Sequence, residues 1–225
     1  MKVLVIQNRM GIGDMVIFLP YIEAISKSLN TPVSLLVKEN TKCAEYLSDN
    51  PNIDNIIILD RNDKEKIGKH YGVQGIFNLA KEIRKYNFDK VFIFNSSFRY
   101  KIIAKFAKIK NIYQYKLFSK KNQNIIETAK NFLKKNLNTD VQSNPIIPVN
   151  SQKVLDAKNK YQIIDREINI LLGVGGSGPT KRVPVEKFIE LINYCKNKFN
   201  CKFFLAAGSN EIEEKIVNKI LNSKH

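Results

Sequence analysis

The chain opens Val3-Leu4-Val5-Ile6-Gln7-Asn8-Arg9-Met10-Gly11-Ile12-Gly13-Asp14 and runs on through Met15-Val16-Ile17-Phe18-Leu19. The apolar run Val3–Ile6 is short enough to be one buried strand. Ile22, Ile25 and Leu29 then recur at helical spacing. The stretch reads as strand, glycine-bearing turn and helix. A glycine at such a turn adopts φ > 0 readily and lets a ligand approach the backbone closely. The start of the helix offers free N–H groups and a partial positive charge. Asp14 stands there and has two explanations. One is an N-cap. The other is a carboxylate held at the carboxyl end of a parallel strand, where α/β folds place their sites. No third glycine completes a G-x-G-x-x-G fingerprint after Gly11-Ile12-Gly13, which argues against a dinucleotide site.

Outward from this unit, strands and helices alternate. Strands are expected over residues 33–37, 53–59, 89–94 and 112–115, with helices over 43–47, 76–86, after Arg99, and 124–137. The helix after Arg99 is expected to bury Ile102, Ile103, Phe106 and Ala107. Residues 61–75 are polar, contain Gly68, Gly72 and Gly75, and read as a mobile loop. The alternation argues for a parallel sheet covered on both faces. Residues 137–150 are polar, carry Pro145 and Pro148, and give the best domain boundary. The expected domains are residues 1–144 and 145–225. In the second, a helix over 155–164, strands over 168–174 and 202–207, a helix over 185–199 and a last helix to Leu221 are expected.

At 225 residues and 44% hydrophobic, the chain can build a substantial core. No apolar run approaches the roughly 20 residues of a membrane span. The sequence starts directly on a strand with no leader pattern, and the expected location is the cytoplasm. Cys43, Cys195 and Cys201 lack C-x-x-C spacing and read as free thiols. His70 and His225 cannot make a metal cluster by themselves, and no metal or cofactor is expected. The net charge of +16 is spread through every segment. Nucleic acid is therefore not the expected partner. Attraction to an anionic membrane surface or to a phosphorylated substrate fits the charge equally well.

Three further places carry candidate chemistry. Asn95 and Arg99 follow the fourth strand and lie at the same sheet edge as Asp14; capping and a solvated arginine are the plain alternative. Gly175-Gly176-Ser177-Gly178-Pro179-Thr180-Lys181 links a strand to a helix. Its N–H groups can converge on an anion and Lys181 adds a full charge, although the Walker A spacing is missing. It reads either as a pyrophosphate cradle or as an ordinary connection with a solvated lysine. Glu211, after Gly208, either accepts from a ribose or serves as a first-turn helix acid.

Taken together, these residues resemble family 9 glycosyltransferases, the ADP-heptose:lipopolysaccharide heptosyltransferases. The resemblance lies in Val3–Ile6 with Gly11-Ile12-Gly13-Asp14 and Leu19-Pro20, and in Phe88-Asp89-Lys90-Val91 running to Asn95 and Arg99. It continues in Gly175 to Pro184, with Val183 where the family has Trp, and in Ala207-Gly208-Ser209-Asn210-Glu211. The resemblance implies a GT-B architecture, a Rossmann-like acceptor-side domain followed by a nucleotide-sugar-binding one. It implies inverting transfer of a heptose-like sugar from a nucleotide diphosphate donor such as ADP-heptose, without a metal. By motif position Asp14 is the implied base. Gly176, Ser177, Thr180 and Lys181 are the implied diphosphate holders, and Gly208 and Glu211 the nucleoside contacts. Gly11, Gly13, Asn95 and Arg99 are the implied acceptor side, facing a lipid-linked or phosphorylated glycan, with peripheral contact at the inner membrane. Family members continue through further strands and a D-[ST]-G-x-x-H loop, so the second domain is expected to be incomplete. Another GT-B nucleotide-sugar enzyme and a non-catalytic binding remnant are the competing readings.

Overall fold

Side chains alternate across a strand. β1 (Val3–Ile6) therefore sends Val3 and Val5 to one face and Leu4 and Ile6 to the other, and all four are buried. A strand apolar at every position belongs in a sheet covered on both sides. In the computed structural model of the protein, which describes residues 1–9, 11–117, 124–176, 181–208 and 210–223, β1 is the central strand of such a sheet.

The first unit, Met1–Pro148, holds a parallel five-stranded sheet in the order β3-β2-β1-β4-β5. Its strands are β1, β2 (Val33–Val37), β3 (Ile53–Ile58), β4 (Lys90–Ile93) and β5 (Asn111–Gln114). β1 pairs with β2 from Val3↔Val33 to Ile6↔Leu36, and with β4 from Val3↔Lys90 to Ile6↔Ile93. The helices are α1 (Ile12–Leu29), α2 (Cys43–Leu47), α3 (Gln74–Arg84), α4 (Phe98–Phe106) and α5 (Ile125–Leu137), with a 3-10 turn at Glu39–Thr41.

Val3, Val5, Leu35, Phe92 and Phe94 pack against Phe18, Leu19 and Ile22 of α1 and Phe132 and Leu133 of α5. Leu4, Ile6, Leu36, Val91 and Ile93 pack against Leu79 and Ile83 of α3 and Tyr100 and Ile103 of α4. A buried side chain of this size stabilises by about 1.5–3 kcal/mol, so both faces are strongly specified. Phe106 departs from expectation. It is 51% exposed and stacks on the equally exposed Phe77 at 5.2 Å between centroids. The buried stripe of α4 is Tyr100, Ile103 and Ala104, continued by Ala107 just past its end, and Phe106 falls outside it.

Residues 61–75 also correct the sequence reading, which took them for a mobile loop. They fold around His70, which is 1% exposed. His70 Nδ1 accepts from the Asp60 N–H at 3.1 Å, and the His70 N–H donates to the Asp60 carbonyl at 2.9 Å. Gly75 belongs to α3, and a Cβ there would lie 2.1 Å from the His70 carbonyl carbon.

The second unit, Val149–His225, starts with α6 (Ser151–Tyr161). α6 begins earlier than expected because Asn150 caps it, accepting from the Gln152 and Lys153 N–H groups. β6 (Ile168–Gly173) and β7 (Cys201–Ala206) form a parallel pair joined through α7 (Val185–Lys196). α8 (Glu211–Leu221) follows β7. Its core is Leu172, Val174, Phe188, Ile192 and Ile220. All three cysteines are free. Among the described residues no helix is long and apolar enough to cross a membrane.

Candidate functional site

β1 connects toward β2 and β3 on one side, while β4 connects toward β5 on the other. β1 and β4 are adjacent, so their carboxyl ends form the topological switch point where open α/β sheets bind ligands. The loop after Ile6 and the loop after Ile93 meet there.

Asn95 Nδ2 donates to Asn8 Oδ1 at 2.9 Å, tying the two loops together. Asn95 Oδ1 accepts from the Ser97 N–H at 2.6 Å. Gln114 Nε2 donates to the carbonyls of Asn95 and Ser97, both at 2.9 Å. The Arg9 N–H donates to Gln7 Oε1 at 2.6 Å, and Gln7 is fully buried. Asn8, Arg9 and Gln114 were not singled out from sequence. The first two lie inside the stretch that decides the fold, but only the fold brings Asn95 and Gln114 to them.

α1 opens at Gly11, whose φ is +97°. A residue with a Cβ would be strained there. A Cβ built at Gly11 or Gly13 would meet no described atom within 4 Å. The first turn of α1 has no side-chain cap. Asp14, in that turn, is therefore not the N-cap, which removes the plainer of its two explanations. Its carboxylate is 30% exposed and faces Arg9 Nη1 at 3.6 Å. One face of the switch point thus presents a carboxylate, a guanidinium, open backbone at two glycines and uncapped helix N–H groups.

Arg99 lies at the expected edge but is engaged elsewhere. Its Nη1 donates to the Gly72 carbonyl at 2.7 Å and its Nη2 to the His70 carbonyl at 2.6 Å. Both forks hold the loop before α3. Glu82 completes this support, accepting from Lys69 Nζ at 2.5 Å and lying 3.3 Å from His70 Nε2. Burial holds the His70 pKa below its ordinary value against the pull of Glu82.

In the second unit the loops after β6 and β7 are joined by Glu213, which is 7% exposed. Its carboxylate accepts from the Gly208 N–H at 2.5 Å and the Gly176 N–H at 3.3 Å. The Asn210 side chain first, then these N–H groups, hold its carboxyl below the ordinary value. A Cβ at Gly175 would lie 2.5 Å from Glu213 Oε2, and one at Gly208 2.9 Å from it. At both glycines the Glu213 carboxylate fills the space a side chain would take. Gly176 and Gly208, expected to face the donor, spend their N–H groups on this carboxylate instead. Glu211 is a first-turn acid of α8, paired with Lys215 Nζ at 2.6 Å and 80% exposed at its side chain. The acid that reaches the loops is Glu213, two positions on, which sequence reasoning missed. Lys181 follows the loop, and its carbonyl would lie 2.8 Å from a Cβ at Gly176. Ser177 and Thr180 lie outside the described residues.

No family model matches the chain, and no curated protein does. Solved structures do. The glycosyl transferase family 9 protein from Veillonella parvula matches with a TM-score of 0.78 at 19% identity, over 100% of this chain and 67% of that one. The E. coli ADP-heptose lipopolysaccharide heptosyltransferase II gives 0.70 at 17% identity, covering 98% and 68% of the two chains. The E. coli heptosyltransferase WaaC, solved with ADP, gives 0.67 at 15% identity, covering 99% and 71%. The chain spans about two thirds of the length of each. Its fold is the GT-B fold shared by the family 9 glycosyltransferase and the heptosyltransferases, with a Rossmann-like unit carrying the Asp14 switch point and a second Rossmann-like unit carrying the Glu213 loops.

Proposed function

We propose that the protein is a glycosyltransferase that moves a heptose-like sugar, with inversion, from a nucleoside diphosphate donor to a lipopolysaccharide core or related glycan acceptor. The observation that carries the reading is Asp14: a partly exposed carboxylate that caps no helix and faces Arg9 beside open backbone at a switch point. The fold likeness to heptosyltransferases solved with ADP and with ADP-2-deoxy-2-fluoro heptose supports the choice of donor class.

In this reading Asp14 Oδ accepts the proton of an acceptor hydroxyl as that oxygen forms its bond to the anomeric carbon. The bond between the anomeric carbon and the diphosphate oxygen breaks on the opposite face, and the electron pair leaves with the nucleoside diphosphate. Arg9 orients the Asp14 carboxylate. The N–H groups at the start of α1 receive an anionic or hydroxyl oxygen of the acceptor. Lys181 meets the charge that develops on the leaving diphosphate. The reaction as written uses no metal.

Calorimetry of the full chain with ADP, UDP and adenosine tests the donor class. Binding of a nucleoside diphosphate well above the nucleoside is the expected result. No binding of either diphosphate at millimolar concentration would reject the reading.

A further inference from the structure

Gln114 Oε1 and Tyr115 OH are buried and make no hydrogen bond among the described residues. Buried polar atoms are nearly always paired, so two orphans on consecutive residues call for a partner from outside the chain. Both residues line one cavity of about 530 Å³ at the end of β5. Another wall of it is the stripe of α5 at Asn131, Phe132 and Lys135. A cavity of this volume is of the size that encloses a small ligand.

The free atoms state what that ligand must offer. Gln114 Nε2 spends its two protons on the carbonyls of Asn95 and Ser97, both at 2.9 Å. The amide is thereby oriented, and its free atom is an oxygen that can only accept. Burial raises the Tyr115 phenol above its ordinary pKa, so this hydroxyl keeps its proton and can both donate and accept.

A ligand must therefore donate to Gln114 Oε1. A bare phosphate or carboxylate brings acceptors only and would face that oxygen unpaired. An apolar molecule would leave both atoms without partners. A cation would meet Lys116 and Lys135, which also line the cavity. A neutral sugar answers each requirement. Every hydroxyl donates and accepts, and the C–H face of the ring packs on aromatic carbon. The Tyr115 and Phe132 rings supply that surface, with centroids 5.1 Å apart. Asn131, exposed on the α5 wall, offers an amide N–H and an oxygen to further hydroxyls.

We propose that the cavity between the end of β5 and α5 binds a neutral saccharide, seated on Gln114 Oε1, Tyr115 OH and Asn131. It rests on no assignment of donor, acceptor or base.

The test is NMR titration of the isotopically labelled full chain with glucose, galactose, maltose and lactose at up to tens of millimolar. Saturable binding of at least one is expected, with shifts at the side-chain amides of Gln114 and Asn131. Tyr115→Phe removes only the orphan hydroxyl and keeps the ring. It should weaken binding of that sugar about fivefold, the worth of one hydrogen bond, with no loss of melting temperature. Asn131→Ala, on the exposed wall, should weaken it by a similar factor. Ordered water alone at the two atoms would appear as no saturable shift with any of the four sugars, and would overturn the proposal. So would equal affinity in the parent and both variants, or binding of adenosine or inorganic phosphate at these amides in place of the sugars. The titration needs neither donor nor turnover, so its failure leaves the transfer reading untouched.

Discussion

Asn95 and Asn8 meet across the switch point, the amide of one donating to the amide oxygen of the other at 2.9 Å. Two loops that approach the site from different strands are thereby held at one separation. Asn95→Ala also deletes the acceptor for the Ser97 N–H. A loss of about 1–3 kcal/mol is expected for such half-buried polar groups left without partners. Asn8→Ala leaves the Asn95–Ser97 bond in place and should cost less. Urea denaturation of the two variants checks the order, and a larger loss for Asn8→Ala would contradict it.

Arg99 acts on the loop that precedes α3. Arg99→Lys can keep at most one of the two carbonyl contacts, because an ammonium is a point donor and lacks the fork. Amide exchange over residues 68–75 should accelerate in Arg99→Lys and more so in Arg99→Ala, while β1 and β2 stay protected. Uniform acceleration across the sheet would mean that Arg99 supports the whole unit.

His70 makes the stability of the first unit depend on pH. Its folded-state pKa is lowered by burial, so the unfolded chain binds its proton first. Stability is full above about pH 6.5, the ordinary histidine value, and falls as pH drops below it. Glu82, whose pKa is also lowered in the fold, adds a second loss near and below ordinary carboxylate values. His70→Asn retains an acceptor for the Asp60 N–H but cannot titrate. Between pH 7.5 and 5.5 its melting temperature should fall less than that of the parent. An equal fall would assign the dependence to other groups.

Gly175→Ala tests the Glu213 bridge. The new Cβ would displace a carboxylate 2.5 Å away, with no backbone strain of its own. About 1–3 kcal/mol of destabilisation is expected, as for overpacking, confined to the second unit. Exchange at β6 and β7 should accelerate while β1 is unaffected. Preserved protection of β6 and β7 would show that Glu213 moves aside freely.

The parts of this fold that the sequence discloses are those set by continuous apolar runs. β1, β2 and β4 are buried on both faces, and their boundaries follow from composition. Their parallel pairing, and the place of Asp14 at the carboxyl end of a strand, follow from strand–helix alternation, whereas the order β3-β2-β1-β4-β5 is seen only in the fold. The rest depends on partners far away in the chain. Residues 61–75 look like solvent loop because the groups that bury His70 include Glu82 and Arg99, which sequence spacing does not connect. α4 has apolar residues on several sides, so the phase of its buried stripe is set by the sheet, and Phe106 is left out. Glu211 and Glu213 share a helical turn. Which one faces the loops is decided by where Gly175 and Gly208 come to lie.

Lys181 is assigned to the donor diphosphate. Lys181→Ala should weaken ADP binding by about 1.5–3 kcal/mol, the range for hydrogen bonds to charged groups, and leave adenosine binding almost unchanged. Calorimetry with both ligands checks this. Equal losses for the two would remove the phosphate assignment.

Asp14 carries the proposed chemistry and can be tested most directly. It makes no capping bond, and its pair with Arg9 is partly exposed, with side chains 30% and 48% accessible. Surface pairs of this kind contribute about 0–1 kcal/mol. The measurement is sugar transfer from ADP-heptose by Asp14→Asn and by the parent, with melting temperatures recorded on the same preparations. Turnover should fall by about 10²–10⁴, the usual contribution of a general base, with the melting temperature almost unchanged. Near-parental turnover, or a loss that only tracks a lowered melting temperature, would contradict the assignment of Asp14 as the base.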